Sequence, residues 1–201
     1  MPDAAAPETS VAAVILAAGA SQRLGEPKQL VSLHGESLIR RSARLAAESG
    51  CSPVLVVIGF EAPRMRSELE GSRVRLVENS GWPEGMGSSL RAGMAAAAEL
   101  EPPPSAVLLL VCDQPRLTAV HLRILLASHR SGGLPITASV YGKQPGVPAI
   151  FSSELLPQLL TVSGDHGARD LIRSHRASVQ EIPWPEGAYD LDTPADREQL
   201  A

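Results

Sequence analysis

Cysteine is almost missing from this chain. Its two cysteines, Cys51 and Cys112, stand in or beside apolar runs and form no CxxC pair. That excludes a disulfide-stapled scaffold and fits a reducing, cytoplasmic compartment. A surplus of positive charge is also missing. With a formal net charge of −4, the chain lacks the basic footprint of a nucleic-acid partner. No uninterrupted apolar run approaches the roughly 20 residues that a membrane helix needs. No basic segment precedes an apolar one at the start, so neither a membrane contact nor a signal peptide is expected; residues 1–10 read as a disordered tail. No Ser-His-Asp or Cys-His arrangement is visible, which argues against a protein nucleophile. Lysine is scarce as well: Lys28 and Lys143 are the two lysines among 18 basic residues. A GC-rich codon bias accounts for most of this, yet a lysine kept against it suggests a position where an ammonium is wanted.

What is present is the material of one α/β domain. The chain has 201 residues, 44% of them hydrophobic and 20% charged, enough for a substantial core. Short runs rich in Val, Ile and Leu recur at 11–16, 54–58, 74–77, 106–111, 135–140 and 179–182. They alternate little, as strands covered on both faces do. Between them lie helical spacings. One face is made by Leu38, Ile39, Ser42, Leu45 and Ala46 and stops at Ser49-Gly50. A second helix is expected over 86–100, and a third over 118–130 with Thr118 as its N-cap. This order predicts a single three-layer α/β/α domain with a mostly parallel, Rossmann-like sheet. After residue 140 the rhythm changes: a loop at 141–148 and two short helices are expected before the last strand.

Ligands of such sheets bind beyond the carboxyl ends of the strands, so the loops there are the candidates for chemistry. In VILAAGASQRLGEPKQL (14–30), Gly19 lets backbone approach a ligand, Arg23 offers a planar donor and Lys28 a point charge, a set suited to a triphosphate. The pattern is neither a Walker A loop nor GxGxxG, and alone it fits a solvated loop with incidental charges better than a phosphate site. Asp113, in CDQP at 112–115, is placed to hold a magnesium ion against phosphate, or simply to make a turn before Pro115. In the 79–93 stretch, Gly81, Gly85 and Gly87 make a glycine-rich loop, and Gly87-Ser88-Ser89 opens a helix whose first N–H groups are free. Asp190 and Asp192 flank Leu191, so in an extended segment they point the same way. Pro194 suits the first turn of a final helix capped by Thr193.

Together these stretches carry a resemblance. LAAGASQRLGEPKQL (16–30) resembles the signature LAAGxxxRxGxxKxL of MobA-like nucleotidyltransferases, which couple an NTP to a phosphorylated acceptor. CDQP and DLDTPAD (190–196) resemble two further motifs of that family in the expected order. NSGWPEGMGSSLRAG (79–93), GVPAIF (146–151) and SGDHGARDLI (163–172) are similar to its molybdenum cofactor cytidylyltransferase branch.

The resemblance spans about residues 11–199 and implies the nucleotide-diphospho-sugar transferase type of fold, with an NTP-binding half (11–115) and an acceptor-binding half (116–201). It implies Arg23, Lys28 and Asp113 as catalytic residues. The nucleotide would be bound by Leu16, Ala17, Ala18, Gly19, Arg23, Lys28, Asn79, Gly85, Ser88, Ser89 and Asp113. The acceptor would meet Gln114, Lys143, Gly146, Pro148, Asp165 and Arg169, and Mg2+ would sit on Asp113 and Asp192.

CMP would pass from CTP to the phosphate of molybdopterin with release of pyrophosphate, and transient contact with a molybdenum hydroxylase or its maturation factor would follow. CTP is expected over GTP because guanylyl-transferring members carry a second glycine where Ala18 stands. Asp190 is read as either a support for the metal site or merely solvated, and His166 as a variable loop residue. Another nucleotide, a sugar or polyol phosphate acceptor, or a non-catalytic cofactor-delivery module are the alternatives. Two expectations concern geometry: the Asp113 and Asp192 carboxylates should lie within about 5–6 Å, and, as close unpaired charges, their removal should stabilise the apo protein.

Overall fold

Seven apolar residues in succession, all buried, form β1 (Val11–Ala17). A strand buried along its whole length must be covered on both faces. Val11, Ala13, Ile15 and Ala17 join one core cluster, while Val14 and Leu16 join the other. The computed structural model describes residues 10–165 and 167–198. His166 and the expected tail, apart from Ser10, lie outside the described residues.

In chain order β1 is followed by β2 (Ser32–Leu33), β3 (Glu36–Ser37), α1 (Leu38–Glu48), β4 (Val54–Ile58), α2 (Ala62–Glu68), β5 (Arg75–Glu78) and α3 (Met86–Ala98). Then come β6 (Ala106–Val111), α4 (Ala119–Gly132), β7 (Ile136–Tyr141), β8 (Gln144–Ser152), α5 (Leu156–Leu159), α6 (Arg169–Ser174), β9 (Val179–Pro183) and α7 (Pro194–Glu198). The main sheet has seven strands in the order β5-β4-β1-β6-β8-β7-β9. All its pairings are parallel except those made by β8, which runs antiparallel to both β6 and β7. Ile39 of α1, Met65 of α2 and Leu122 of α4 cover one face; Leu90 of α3, Leu159 of α5 and Ile172 of α6 cover the other. The three-layer architecture with a mostly parallel sheet is as expected, and each of the six expected apolar runs coincides with a strand, those at 74–77 and 135–140 starting one residue early.

The expected loop at 141–148 is corrected: Gln144–Ser152 is a strand. Its prolines disguised it. Pro148 cannot donate to a ladder, but the register shifts between Ala138 and Ser139, so Val147 and Pro148 bulge out of the β7 pairing. Helix signals were more direct. The Thr118 hydroxyl accepts from the His121 amide at 3.2 Å, and Gly133 closes α4 at φ +65°.

α3 sits unusually close to the sheet because Gly93 faces it. A β-carbon there would come within 2.4 Å of Val14 Cγ1 and 2.9 Å of Val57 Cγ2. Gly93→Val should therefore cost at least about 1–3 kcal/mol of overpacking, against the few tenths expected of an exposed helix position. A urea midpoint unchanged in the variant would show that α3 lies farther from the sheet.

His121 ties α4 to the sheet. Its ring stacks on Trp184 with centroids 4.7 Å apart, and Nε2 lies 2.8 Å from Ser139 Oγ. Ser139 gives its own hydrogen to the Pro148 carbonyl, so Nε2 is the protonated nitrogen that donates to it. Burial pushes the His121 pKa down to about 4, slightly opposed by Glu186. A base whose folded pKa lies below its unfolded value is stabilising while neutral. Its contribution is complete above about pH 6.5 and is lost as pH falls toward 4, on the order of 3 kcal/mol in all. Denaturant unfolding at pH 7 and pH 4.5 should show this loss, and His121→Phe should remove that part of the pH dependence.

Candidate active site

The site forms where β1, β6 and the segment after β9 end together. β1 runs into Ala18-Gly19 and β6 into Cys112-Asp113. The backbone N–H of Leu191 donates to the Asp113 carbonyl at 2.8 Å, stitching the C-terminal segment to the end of β6. Leu191 is fully buried in a small cluster with Leu24, Val31, Leu33 and Leu38. That plug lies beneath the Arg23–Lys28 loop and leaves Asp190 and Asp192 on the cleft wall. Thr193 then caps α7: its Oγ1 accepts from the Asp196 amide at 3.3 Å, while Asp196 Oδ2 accepts from the Asp192 and Thr193 amides.

At the meeting point Lys28 Nζ lies 2.6 Å from Asp113 Oδ2 and 3.0 Å from Asp192 Oδ1. Arg23 Nη2 donates to Asp192 Oδ2 at 2.7 Å. One ammonium therefore holds both acids, and the oxygens it joins are no farther apart than those two bonds laid end to end. Burial lowers the Lys28 pKa, but the charge and hydrogen bonds of Asp113 and Asp192 outweigh it and the net shift is upward. Burial raises Asp192, yet its bonds to Lys28 and Arg23 bring it below the usual carboxylate range. For Asp190, burial and the nearby Asp113 and Asp192 charges push the carboxyl up to about 6.

The carboxylates are thus not unpaired. The expectation that removing one stabilises the protein is reversed, because either loss strips Lys28 of a partner. The donor set fits a divalent cation: two carboxylates converge, and Asp113 Oδ1 is buried with no hydrogen-bond partner among the described residues.

Two cavities share this junction. The larger, about 590 Å³, is lined among others by Leu16, Ala17, Ala18, Gly19, Arg23, Lys28, Gly85, Ser89, Asp113 and Asp192. The smaller, about 250 Å³, is lined by Gln114, Gly146, Asp165 and Arg169 and also reaches Lys28, Asp113 and Asp192. Four expected contacts fall elsewhere. Asn79 and Ser88 are buried behind the larger cavity: Asn79 Nδ2 donates to the Ser88 and Ser89 hydroxyls, and Ser88 Oγ bonds back to the Gly81 and Gly85 carbonyls. They shape the glycine loop rather than line the cavity. Lys143 is exposed at the tip of the β7–β8 hairpin, at φ +68°. Pro148 is buried and its carbonyl is taken by Ser139.

No α-helix follows Gly19 directly. A turn and the single 3-10 turn Lys28–Leu30 come first, so an anion would meet loop amides and two cations rather than a helix end.

Sequence reasoning missed Gln29 and Trp82 on the first cavity and Tyr141 on the second. Gln29 stands inside the signature beside Lys28, a signal that could have been used. Tyr141 and Asp190 reach their wall through strand pairing and the Leu191 plug, which local sequence does not show. Asp165 lies on the wall of both cavities. Its loop rests on the start of α3, where the Gly87 amide donates to the Gly164 carbonyl at 2.8 Å. Gly85 stands at φ +104°, a conformation that favours glycine, and a β-carbon there would fall 2.2 Å from Asp165 Oδ1.

The fold is of the nucleotide-diphospho-sugar transferase type. The chain belongs to the family of the MobA-like NTP transferase domain, which matches residues 13–179. It is 36% identical over 181 residues to nicotine blue oxidoreductase of Paenarthrobacter nicotinovorans, covering 87% of this chain and 83% of that protein. It is 30% identical to a probable molybdenum cofactor guanylyltransferase of Opitutus terrae, covering 95% and 96% of the two chains. Among solved structures, Rv0371c of Mycobacterium tuberculosis superposes with a TM-score of 0.80 at 27% identity, over 96% of this chain and 97% of that one. That protein is also known in complex with manganese, at a TM-score of 0.78 and 25% identity over 96% and 98% of the chains.

Proposed function

We propose that the protein transfers CMP from CTP to the phosphate of molybdopterin, or of its molybdenum-loaded form, and releases pyrophosphate. The carrying observation is the Lys28-centred ion network at the one place where the two cavities meet. A phosphate oxygen of the acceptor forms a bond to the α-phosphorus as the bond to pyrophosphate breaks. Such transfers need positioning and charge neutralisation more than a nucleophilic side chain.

In this reading residues 11–115 hold the nucleotide and 116–201 the acceptor. Lys28 and Arg23 turn from the aspartates toward the triphosphate and steady the leaving pyrophosphate. Asp113 and Asp192 would hold Mg2+, which supplies charge neutralisation between nucleotide and acceptor phosphates. Arg169 and Gln114 stand on the acceptor wall.

The preference for CTP rests on the resemblance of the Ala17-Ala18-Gly19 turn. Ala18 is 2% exposed and packs with the core on the α3 side. A β-carbon on Gly59 would meet the Ala18 β-carbon at 2.9 Å and that of Trp82 at 2.8 Å. Ala18 therefore acts on base selection through how Gly59 and Trp82 approach, not as a methyl standing in the cleft.

The test is pyrophosphate release, measured with CTP and with GTP in competition, using molybdopterin and then a sugar phosphate as acceptor. Dinucleotide formed from CTP supports the reading. Equal or better use of GTP moves it to guanylyl transfer, and activity with a sugar phosphate alone removes molybdopterin. Nucleotide binding without pyrophosphate release would indicate a delivery module. The relative named as an oxidoreductase favours a second reading, redox chemistry, so consumption of a reduced nicotinamide should be followed in parallel.

A further inference from the structure

Gln29 is buried to 1% exposure beside the larger cavity. Its Nε2 donates to two main-chain carbonyls at once, Ala17 at 3.0 Å and Gly19 at 2.7 Å. Two carbonyl partners identify that end of the side chain as the amide nitrogen. The carbonyl between them, that of Ala18, is held by the Phe60 amide at 3.0 Å. Three consecutive carbonyls at the end of β1 are therefore tied to protein donors.

The amides behave oppositely. Among the described residues, none accepts a hydrogen bond from the backbone N–H of Gly19, Ala20, Ser21, Gln22 or Arg23. These five residues all line the larger cavity, and a β-carbon placed on Gly19 would meet nothing within 4 Å. Successive free amides in a turn make an anion-binding concavity. A single flipped peptide would put a carbonyl where an amide belongs and would repel an anion.

The clamp is kept at a cost. Gln29 Oε1 is buried without a partner among the described residues, and a buried acceptor left unmade opposes folding. Methionine would lift that burden but would take the donor from the Ala17 and Gly19 carbonyls, so some loss of stability is expected from the exchange alone.

We propose that Gln29 is a positioning residue for the triphosphate. By holding the Ala17 and Gly19 carbonyls away from the cleft, it keeps the Gly19–Arg23 amides turned toward the phosphate chain. The inference rests on the reading of the larger cavity as the nucleotide site. It adds that affinity there depends on a side chain that itself contacts no nucleotide. Because the clamp acts on main-chain amides that serve phosphate, its effect is independent of the base.

Isothermal titration of the intact protein in Mn2+ with CTP, GTP and inorganic tripolyphosphate tests this. Gln29→Met should weaken all three ligands by a similar factor, at least ten-fold, in a protein that still unfolds cooperatively and well above the assay temperature. Gln29→Glu should weaken them further, since its carboxylate faces two carbonyls and the bound anion. The KM for the acceptor should stay put in both variants. Unchanged affinity in Gln29→Met overturns the clamp, as does a loss confined to one base. If the wild-type protein binds none of the three ligands, the nucleotide reading falls and takes the clamp with it, an outcome distinct from the first two.

Discussion

Asp113→Asn, Asp192→Asn and the double variant are expected to settle at nearly the same residual turnover, about 10²–10³-fold below wild type. The reason is geometric. Both carboxylates reach Lys28 Nζ, at 2.6 and 3.0 Å, so each serves one centre. A divalent cation shared between them would be lost with either, and little remains for the second substitution to remove. Single-turnover kinetics at saturating Mg2+ read the result directly; losses that multiply in the double variant would place the two acids in separate roles. Stability gives a second readout. Asn at either position leaves Lys28 with one anionic partner in a largely buried setting, so each variant should lose about 1–3 kcal/mol. A gain would mean that repulsion between the acids outweighs their bonds to Lys28.

Lys28→Ala carries the other large effect. Loss of a preorganised cation at the junction of both cavities should lower kcat by roughly 10²-fold or more. Lys28→Arg should rescue only part of it, because a planar guanidinium cannot converge on two carboxylates as a point ammonium does. Metal binding should move the other way. Lys28 occupies the oxygens that a divalent ion would use, so in the absence of nucleotide the alanine variant should bind Mn2+ more tightly than wild type. Titration calorimetry separates the two effects. Turnover near wild type in Lys28→Ala would return the residue to a merely structural ion pair.

Much of this site could be read one loop at a time. Arg23, Lys28 and Asp113 sit in motifs whose chemistry is local, a glycine turn followed by cations or an acid just past an apolar strand. The strand runs at 11–16 and 106–111 were legible because strands buried on both faces carry no polar alternation. Thr118 and Thr193 announced their helices by residue type. Other assignments failed for equally physical reasons. Asn79 and Ser88 are polar residues in a glycine-rich stretch, yet their hydrogen bonds are spent on each other and on the loop backbone. Gln144–Ser152 was hidden by two prolines, of which Pro148 falls in the bulge while Pro145 stays paired opposite Val140.

The sequence by itself determined the kind of layer, the carboxyl-end loops and the residues able to carry charge there, because period, turn chemistry and residue type act over a few neighbours. Only the tertiary structure decided which of those loops meet. Asp192 joins Asp113 because the Leu191 amide bonds to the Asp113 carbonyl and the Leu191 side chain is buried under the Arg23–Lys28 loop. The tertiary structure likewise decided that the two acids are held by Lys28 rather than left to repel, and that Gln29 turns inward to the carbonyls of the β1 turn. Those outcomes depend on contacts between segments far apart in the chain, which the packing of the sheet and its covering helices brings together and which no local pattern encodes.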